Sequence, residues 1–252
     1  MNDESLWFRR FEAAATAANR LVCFPHAGGA ASYFLPVARA LAPDVDVVSV
    51  QYPGRQDRRG EPCIDDINVL ADRVHQAMRS WSRQTLTLFG HSMGAVIAFE
   101  VARRIRRDRP DQSLRLIVSG RRAPHVHKPE RVHLGDDARI AAEIRSLGGT
   151  EAALLRDPEV LAMIMPTLRS DYRAVETYRY APGGPRPCPI TVFTGDRDPH
   201  TTVDEAREWE QYSQEPFGLK VFEGGHFFVS SRSAEVLAAL AEHFAGAARG
   251  AR

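Results

Sequence analysis

Cysteine is scarce: Cys23, Cys63 and Cys188 are the only three in 252 residues, an odd number with no C-x-x-C spacing. That excludes a disulfide framework and gives no cysteine-based zinc signature. Long apolar runs are missing too. No stretch approaches the ~20 residues needed to span a bilayer, and the opening MNDESLWFRRFEAAATAANR mixes both charge signs without the apolar core of a signal peptide. Charge of one sign is not in excess either. Lys and Arg number 33 against 32 Asp and Glu, so no global field favours nucleic acid or an anionic membrane. There is no internal repeat. The expectation is a cytoplasmic protein, a monomer by default, without nucleic-acid or membrane partners.

What is present is ordinary globular material, 44% hydrophobic and 26% charged. α/β folds commonly reach this length as one unit, so one domain over 1–252 is expected. Short, continuous apolar runs start at Leu21 (LVCFP), Val45 (VDVVSVQYP), Leu86 (LTLFG), Leu114 (LRLIVSG), Ile190 (ITVFTG) and Leu219 (LKVFEG). Runs of this kind suit strands covered on both faces. Helix-period segments lie between them at Tyr33–Leu41, Ile67–Trp81, Ala95–Arg107, Val203–Tyr212 and Ala234–Phe244, and Thr202 with Glu205 reads as a capping box. The alternation predicts an α/β fold with a mostly parallel central sheet flanked by helices. From about Arg121 to Pro187 the rhythm stops. Only helical patterns occur there (DDARIAAEIRSLG and PEVLAMIMPTLRSDYRAVETY), closed by the breaker-rich APGGPRPCP, which predicts a helical insertion at about 121–187. Trp7, Phe8 and Phe11 are expected to pack the N-terminal segment, and Cys23 and Cys188 to be buried as small apolar residues.

Gly90, Ser92 and Gly94 fit G-x-S-x-G, a pattern that chance alone yields in roughly one chain of this length in ten. Its setting carries more weight than its letters. LTLF before it and AVIAFEVARRI after it put Ser92 on a sharp strand-to-helix turn, where a serine hydroxyl stands exposed as a nucleophile. The plainer possibility is a serine that caps the following helix. A serine hydroxyl needs a base and an orienting acid, which in this architecture follow in the order Ser, Asp or Glu, His. ITVFTGDRDPH supplies Asp196 and Asp198 after one strand, and LKVFEGGHFF supplies His226 after the last. Asp198 is preferred because Asp196 directly follows Gly195 and suits local turn bonding. Two donors must also meet the developing oxyanion. Met93 follows the nucleophile, and the glycine-rich PHAGGAAS loop offers Ala27. That loop carries neither phosphate-cradling signature, G-x-G-x-x-G or G-K-[ST].

Taken in order, FPHAGG, YPGRQDR, GHSMG, SGRRAP, DYRAVETY, GDRDP and GGHFF make the chain resemble the type II thioesterases that accompany polyketide synthases and nonribosomal peptide synthetases. The likeness runs from Trp7 to about Phe244. It implies an α/β-hydrolase fold with a helical lid, acting on acyl groups held as thioesters on the phosphopantetheine arm of an acyl or peptidyl carrier protein. It also implies an editing role. No cofactor or metal is expected. By the same resemblance Ser92 is the nucleophile, Asp198 the acid and His226 the base, with Ala27 and Met93 at the oxyanion positions. Stand-alone enzymes that release medium-length fatty acyl chains share these motifs. A general carboxylester hydrolase would use the same triad, and a non-enzymatic binding module would be expected to have lost part of it.

In the insertion, Leu161, Ile164, Met165 and Leu168 sit at helical spacing, either to contact the acyl chain or to pack the lid on the body. Arginine clusters at Ala102–Arg109 and Gly120–Lys128 read either as docking surfaces for an acidic carrier or as solvated faces. His125, His127 and His133 lack companions at metal-ligand spacing.

Overall fold

The computed structural model describes residues 3–14, 17–81, 84–148 and 157–249. Residues 149–156 of the predicted insertion therefore lie outside the described residues. In chain order the strands are β1 (Phe8–Arg10), β2 (Asn19–Phe24), β3 (Val45–Val50), β4 (Thr85–His91), β5 (Leu114–Ser119), β6 (Pro189–Gly195) and β7 (Gln214–Phe222). They form one seven-stranded sheet in the order β1-β3-β2-β4-β5-β6-β7. Every described pairing is parallel except β1 with β3. Helices α1 (Asp3–Trp7), α2 (Leu35–Leu41), α3 (Ile67–Ala77) and α4 (Met93–Asp108) come before β5. After it come α5 (Asp137–Leu147), α6 (Pro158–Thr177), α7 (Val203–Arg207), α8 (Phe228–Ser231) and α9 (Ser233–Arg249).

The strand runs are continuous rather than alternating because each strand serves two cores. Successive side chains point to opposite faces: Val22 and Phe24 join one core, Leu21 and Cys23 the other. The first core takes in Leu70 and Val74 of α3 and Val96, Ile97 and Val101 of α4. The second takes in Val37 and Leu41 of α2 and Val236 and Leu240 of α9. Helix α4 is buried along most of its length, so the element that starts at Ser92 is fixed in the middle of the molecule.

Two elements extend the sequence reading. β1 was not foreseen. It is three residues long, pairs antiparallel at the sheet edge, and is fastened by Trp7 and Phe8, with the Phe8 ring 4.5 Å from that of Trp81. β7 starts at Gln214 rather than Leu219, taking in Pro216 and Gly218, which an edge strand tolerates because one side of its ladder is open. Two predicted helices end differently. The helix expected to reach Trp81 stops at Ala77, and a turn then buries both Met78 and Trp81. The helix starting at Val203 carries its capping box, then tightens into a 3-10 turn at Glu208–Tyr212 that seats Trp209 in the core.

Between β5 and β6, Asp136 and Asp157 cap the N-termini of α5 and α6 by accepting their first free amides. The two helices share a small apolar cluster of Val132, Ile140, Ile144, Met165 and Leu168. The C-terminal half of α6 is tied to the body: Ala174 and Val175 enter the first core, and the Thr167 hydroxyl donates to the Gly54 carbonyl at 2.7 Å. The arginine clusters are largely engaged inside the molecule. Arg103 and Arg104 both bind Glu100, Arg106 donates to the Pro187 carbonyl, and the buried Arg122 pairs with Glu130.

Phe89 is fully buried, with the rings of Phe34 and Phe193 at 5.5 and 6.3 Å. Phe89→Ala is expected to lower unfolding stability by about 3–5 kcal/mol, read as a shift of the urea midpoint with an unchanged slope.

Candidate active site

β4 passes into α4 through Ser92, whose backbone has φ 54 and ψ −116. A non-glycine residue in that region carries strain of roughly 1–3 kcal/mol, so the surroundings must impose it. They do so from two sides. The Ser92 amide donates to the Ser119 carbonyl of β5 at 2.8 Å, and α4 lies so close to β2 that a Cβ on Gly94 would stand 2.0 Å from the Phe24 carbonyl oxygen. Glycine at 94 is a steric requirement of the turn.

The other two side chains arrive from the ends of β6 and β7. The Ser92 Oγ lies 3.0 Å from His226 Nε2, and His226 Nδ1 lies 2.8 Å from Asp198 Oδ2. The other Asp198 oxygen accepts the His200 amide at 2.8 Å. With the carboxylate accepting at Nδ1, the network assigns the proton to that nitrogen and leaves Nε2 free to accept from the serine hydroxyl. Asp196 sits elsewhere. Its Oδ1 accepts the Gly224 amide at 2.8 Å, tying together the loops after β6 and β7. The structure thus brings Ser92, His226 and Asp198 into one line and leaves Asp196 in the turn. Ala27 lines the same cavity as Ser92. Met93 opens α4, where the first amides of a helix have no intrahelical partner.

Two histidines to which the sequence motifs give no role pack against His226, and a third packs behind them. The His91 and His200 rings lie 5.2 and 5.5 Å from that of His226, and the His26 ring lies 5.9 Å from His91. The charge states of His226, His91 and His200 diverge. Burial pushes His226 below the usual histidine value, against the upward pull of Asp198. Burial holds His91 well below it. Hydrogen bonds to Glu130 and Glu143 raise His200 to about 9. The ring facing Ser92 is therefore neutral at pH 7 while its neighbour His200 is charged. Of the remaining sequence-flagged histidines, His133 pairs with Glu176 and His125 rests against Tyr212.

Ser92 and His226 open into a cavity of about 870 Å³, within the range of small-molecule sites. One wall is apolar: Ile144, Leu147, Val160, Met163, Ile164 and Leu168, with Glu130, Glu143 and His200 supplying charge elsewhere in the lining. The apolar face of α6 is thus divided. Ile164 and Leu168 line the cavity, whereas Leu161 and Met165 only pack within the α5–α6 cluster.

Residues 19–245 match the family model described as a thioesterase domain. The chain belongs to the thioesterase family. It is similar to the probable cadicidin biosynthesis thioesterase of Streptomyces griseus, 49% identical over 224 residues covering 89% of this chain and 62% of that protein. It is also similar to the thioesterase PikA5 of Streptomyces venezuelae, 45% identical over 242 residues covering 96% of this chain and 86% of that one. The chain therefore spans less than two thirds of the first relative and most of the second. Among solved structures, the type II thioesterase BorB from the borrelidin biosynthetic cluster matches with a TM-score of 0.88 at 46% identity, covering 94% of this chain and 97% of BorB. The resemblance drawn from the motifs is borne out. This thioesterase has the α/β-hydrolase fold and is a thioester hydrolase of the serine-hydrolase type.

An NMR titration of the histidine rings is expected to separate two of them. His226 stays neutral until the pH falls below 6.5, and His200 stays charged until the pH rises to about 9. Because the His200 value is raised on folding, its pairing contributes stability that is fully present below pH ~6.5 and is lost as the pH climbs through its folded value. Ring signals from His200 and His226 that titrate together near 6.5 would contradict this arrangement.

Proposed function

We propose that this thioesterase removes acyl groups from the phosphopantetheine thiol of acyl or peptidyl carrier proteins, clearing stalled or aberrant chains in polyketide or nonribosomal peptide assembly. Its working form in this reading is a cytoplasmic monomer with a lid at about 121–187. The observation that carries the reading is the unbroken Asp198–His226–Ser92 hydrogen-bonded line at the floor of an apolar-walled cavity. The names of two relatives, one from cadicidin biosynthesis and one a type II thioesterase from the borrelidin biosynthetic cluster, support the choice of carrier-bound substrate.

The chemistry falls into two halves. His226 Nε2 takes the Ser92 proton as Oγ attacks the thioester carbonyl. The resulting oxyanion is met by the amides of Met93 and Ala27. Collapse breaks the carbon–sulfur bond, and the departing thiolate takes the proton back from His226. A water then replaces the thiol. It gives its proton to His226, attacks the acyl-serine carbonyl, and releases the acid as Ser92 recovers its proton. Asp198 keeps the ring in the working tautomer and stabilises its transient cation. Every step is a proton transfer, a carbonyl addition or the collapse of the resulting adduct, so the chemistry calls for no cofactor. A thiol with a pKa of about 8.5 leaves readily, and the triad by itself does not discriminate against activated oxyesters. Discrimination falls to the cavity wall and to recognition of the carrier.

The test is intact-mass spectrometry of carrier protein loaded with acetyl, propionyl and longer acyl groups. Wild-type enzyme is expected to remove the acyl mass faster than it cleaves matched oxyesters, and Ser92→Ala to leave it in place. An acyl mass that persists while simple esters are hydrolysed would make the enzyme a general carboxylester hydrolase instead. In the same assay Asp198→Asn should lower turnover by about 10³- to 10⁴-fold, since the ring loses its enforced tautomer. Asp196→Asn should stay within about tenfold of wild type. Equal losses in the two variants would undo the choice of acid.

A further inference from the structure

Helix α6 carries a carboxylate where an apolar lid helix has no evident use for one. Asp171 is 1% exposed, and its partner Arg55, from the loop after β3, is 7% exposed. The Arg55 Nη2 reaches Asp171 Oδ1 at 2.7 Å and Oδ2 at 2.9 Å. Removing two charges from water costs several kcal/mol per ion, and well-packed apolar residues are often as stable in such a place. Stability alone therefore does not account for the pair. The guanidinium is also incompletely served: among the described residues its Nε and Nη1 have no hydrogen-bond partner. What the pair does hold is backbone. Asp171 Oδ2 accepts the Gly28 amide at 2.8 Å, one residue beyond Ala27.

The loop around Ala27 needs such a hold. Gly28 has φ +78, and a Cβ there would stand 2.5 Å from Leu168 Cδ2, so the loop is pressed against α6 in a backbone conformation that L side chains rarely adopt. Its far end is fixed separately, by the Ala31 amide donating to Gln51 Oε1 at 2.8 Å. Ala27 and Gly28 are the middle of a turn closed by the Gly29 amide donating to the His26 carbonyl at 2.9 Å, and the Ala27–Gly28 peptide at its centre is fastened by Asp171. A carboxylate accepts an amide more strongly than a neutral oxygen does, and Arg55 fixes where that carboxylate points.

We propose that Asp171 is a positioning residue for thioester hydrolysis: oriented by Arg55, it holds the Gly28 amide and so keeps the adjoining Ala27 amide aimed at the oxyanion. The claim rests on the reading of Ala27 as an oxyanion donor, and it makes the C-terminal half of a helix in the insertion part of the catalytic scaffold. Catalytic competence then depends on a contact between residues 55 and 171, neither of which meets the substrate's reacting carbonyl.

The test uses two variants in one background, so that neither leaves a buried charge unpaired. Arg55→Met with Asp171→Asn keeps a neutral acceptor for the Gly28 amide; Arg55→Met with Asp171→Leu removes it. Each is assayed for kcat and KM on an acyl thioester. Each is also assayed for Ki with an alkyl boronic acid, which forms a tetrahedral adduct on the serine, and for Kd with an unreactive thioether analogue of the substrate. The Leu form is expected to lose about 10- to 100-fold in kcat, short of the full loss of an oxyanion donor. Its boronate Ki should rise by a similar factor while KM and the thioether Kd stay within about twofold. The Asn form should recover at least threefold of both losses yet stay at least about twofold short of wild type, because a neutral oxygen accepts the amide more weakly than a carboxylate. Boronate affinity unchanged in the Leu form, or thioether and boronate weakened alike, would overturn the positioning role. If the Leu form does not fold, the Asn form decides: kcat and boronate Ki both at wild-type values would overturn the role, because the charged acceptor has gone. Failure of wild-type enzyme to bind the boronate would instead defeat the reading of the oxyanion site itself.

Discussion

The strained backbone at Ser92 is the constraint on which the rest of the site depends. A residue at φ 54 relaxes unless its neighbours forbid it, and here the neighbours are the most buried elements of the molecule. β5 holds the Ser92 amide, and β2 lies against Gly94 too closely for any side chain. The two-faced parallel sheet is what makes this possible. Strands clamped between two apolar cores do not shift to relieve one turn, because shifting would open contacts on both faces at once. The serine is thereby held out from the end of β4, toward the loops that carry Asp198 and His226.

Electrostatics around the triad follow from the same burial. His226, His91 and His200 crowd together, yet they do not behave as one cluster. Burial without a strong counter-charge neutralises His91, and burial partly offset by Asp198 keeps His226 below its ordinary value. His200 lies between Glu130 and Glu143 and stays cationic. A charged neighbour disfavours a second cation on His226, so the acidic pair beside His200 helps to set the pH at which His226 takes up a proton. It also places two carboxylates in the lining of a cavity that has one aliphatic wall.

Much of this was legible from the chain, and the illegible part has a clear character. Strand runs at Leu21, Leu86, Leu114 and Ile190 announced a sheet buried on both faces, and the order of Ser92, Asp198 and His226 announced a triad. Each is a local pattern, or a set of local patterns in a fixed order. The edge strand Phe8–Arg10 was invisible because three residues offer no period to detect. The cluster of histidines beside His226 was invisible because its members come from the ends of four different strands, β2, β4, β6 and β7. Arg55 and Asp171 stood inside two motifs, YPGRQDR and DYRAVETY, that were plain to see. Their partnership spans 116 residues and exists only where α6 crosses the loops after β2 and β3. The arginine clusters misled for the converse reason. Dense positive charge in sequence suggested a displayed surface, but Arg122 lies buried against Glu130.

Helix α6 shows how one element serves two purposes without their conflicting. Its first turns contribute Val160, Met163 and Ile164 to the cavity wall, with Met163 largely exposed at its edge. Its later turns are fastened by Thr167 to Gly54, by Asp171 to Arg55 and Gly28, and by Ala174 and Val175 to the main core. Pro166 lies between the two halves. Proline has no amide to give to the carbonyl four residues earlier, so the helix is mechanically weakest just before its fastening to the body begins. Side chains on both sides of Pro166 line the cavity, Val160, Met163 and Ile164 before it and Leu168 and Tyr172 after it. Those after it also reach the loop beside Ser92, so the wall before Pro166 can change without loosening that loop.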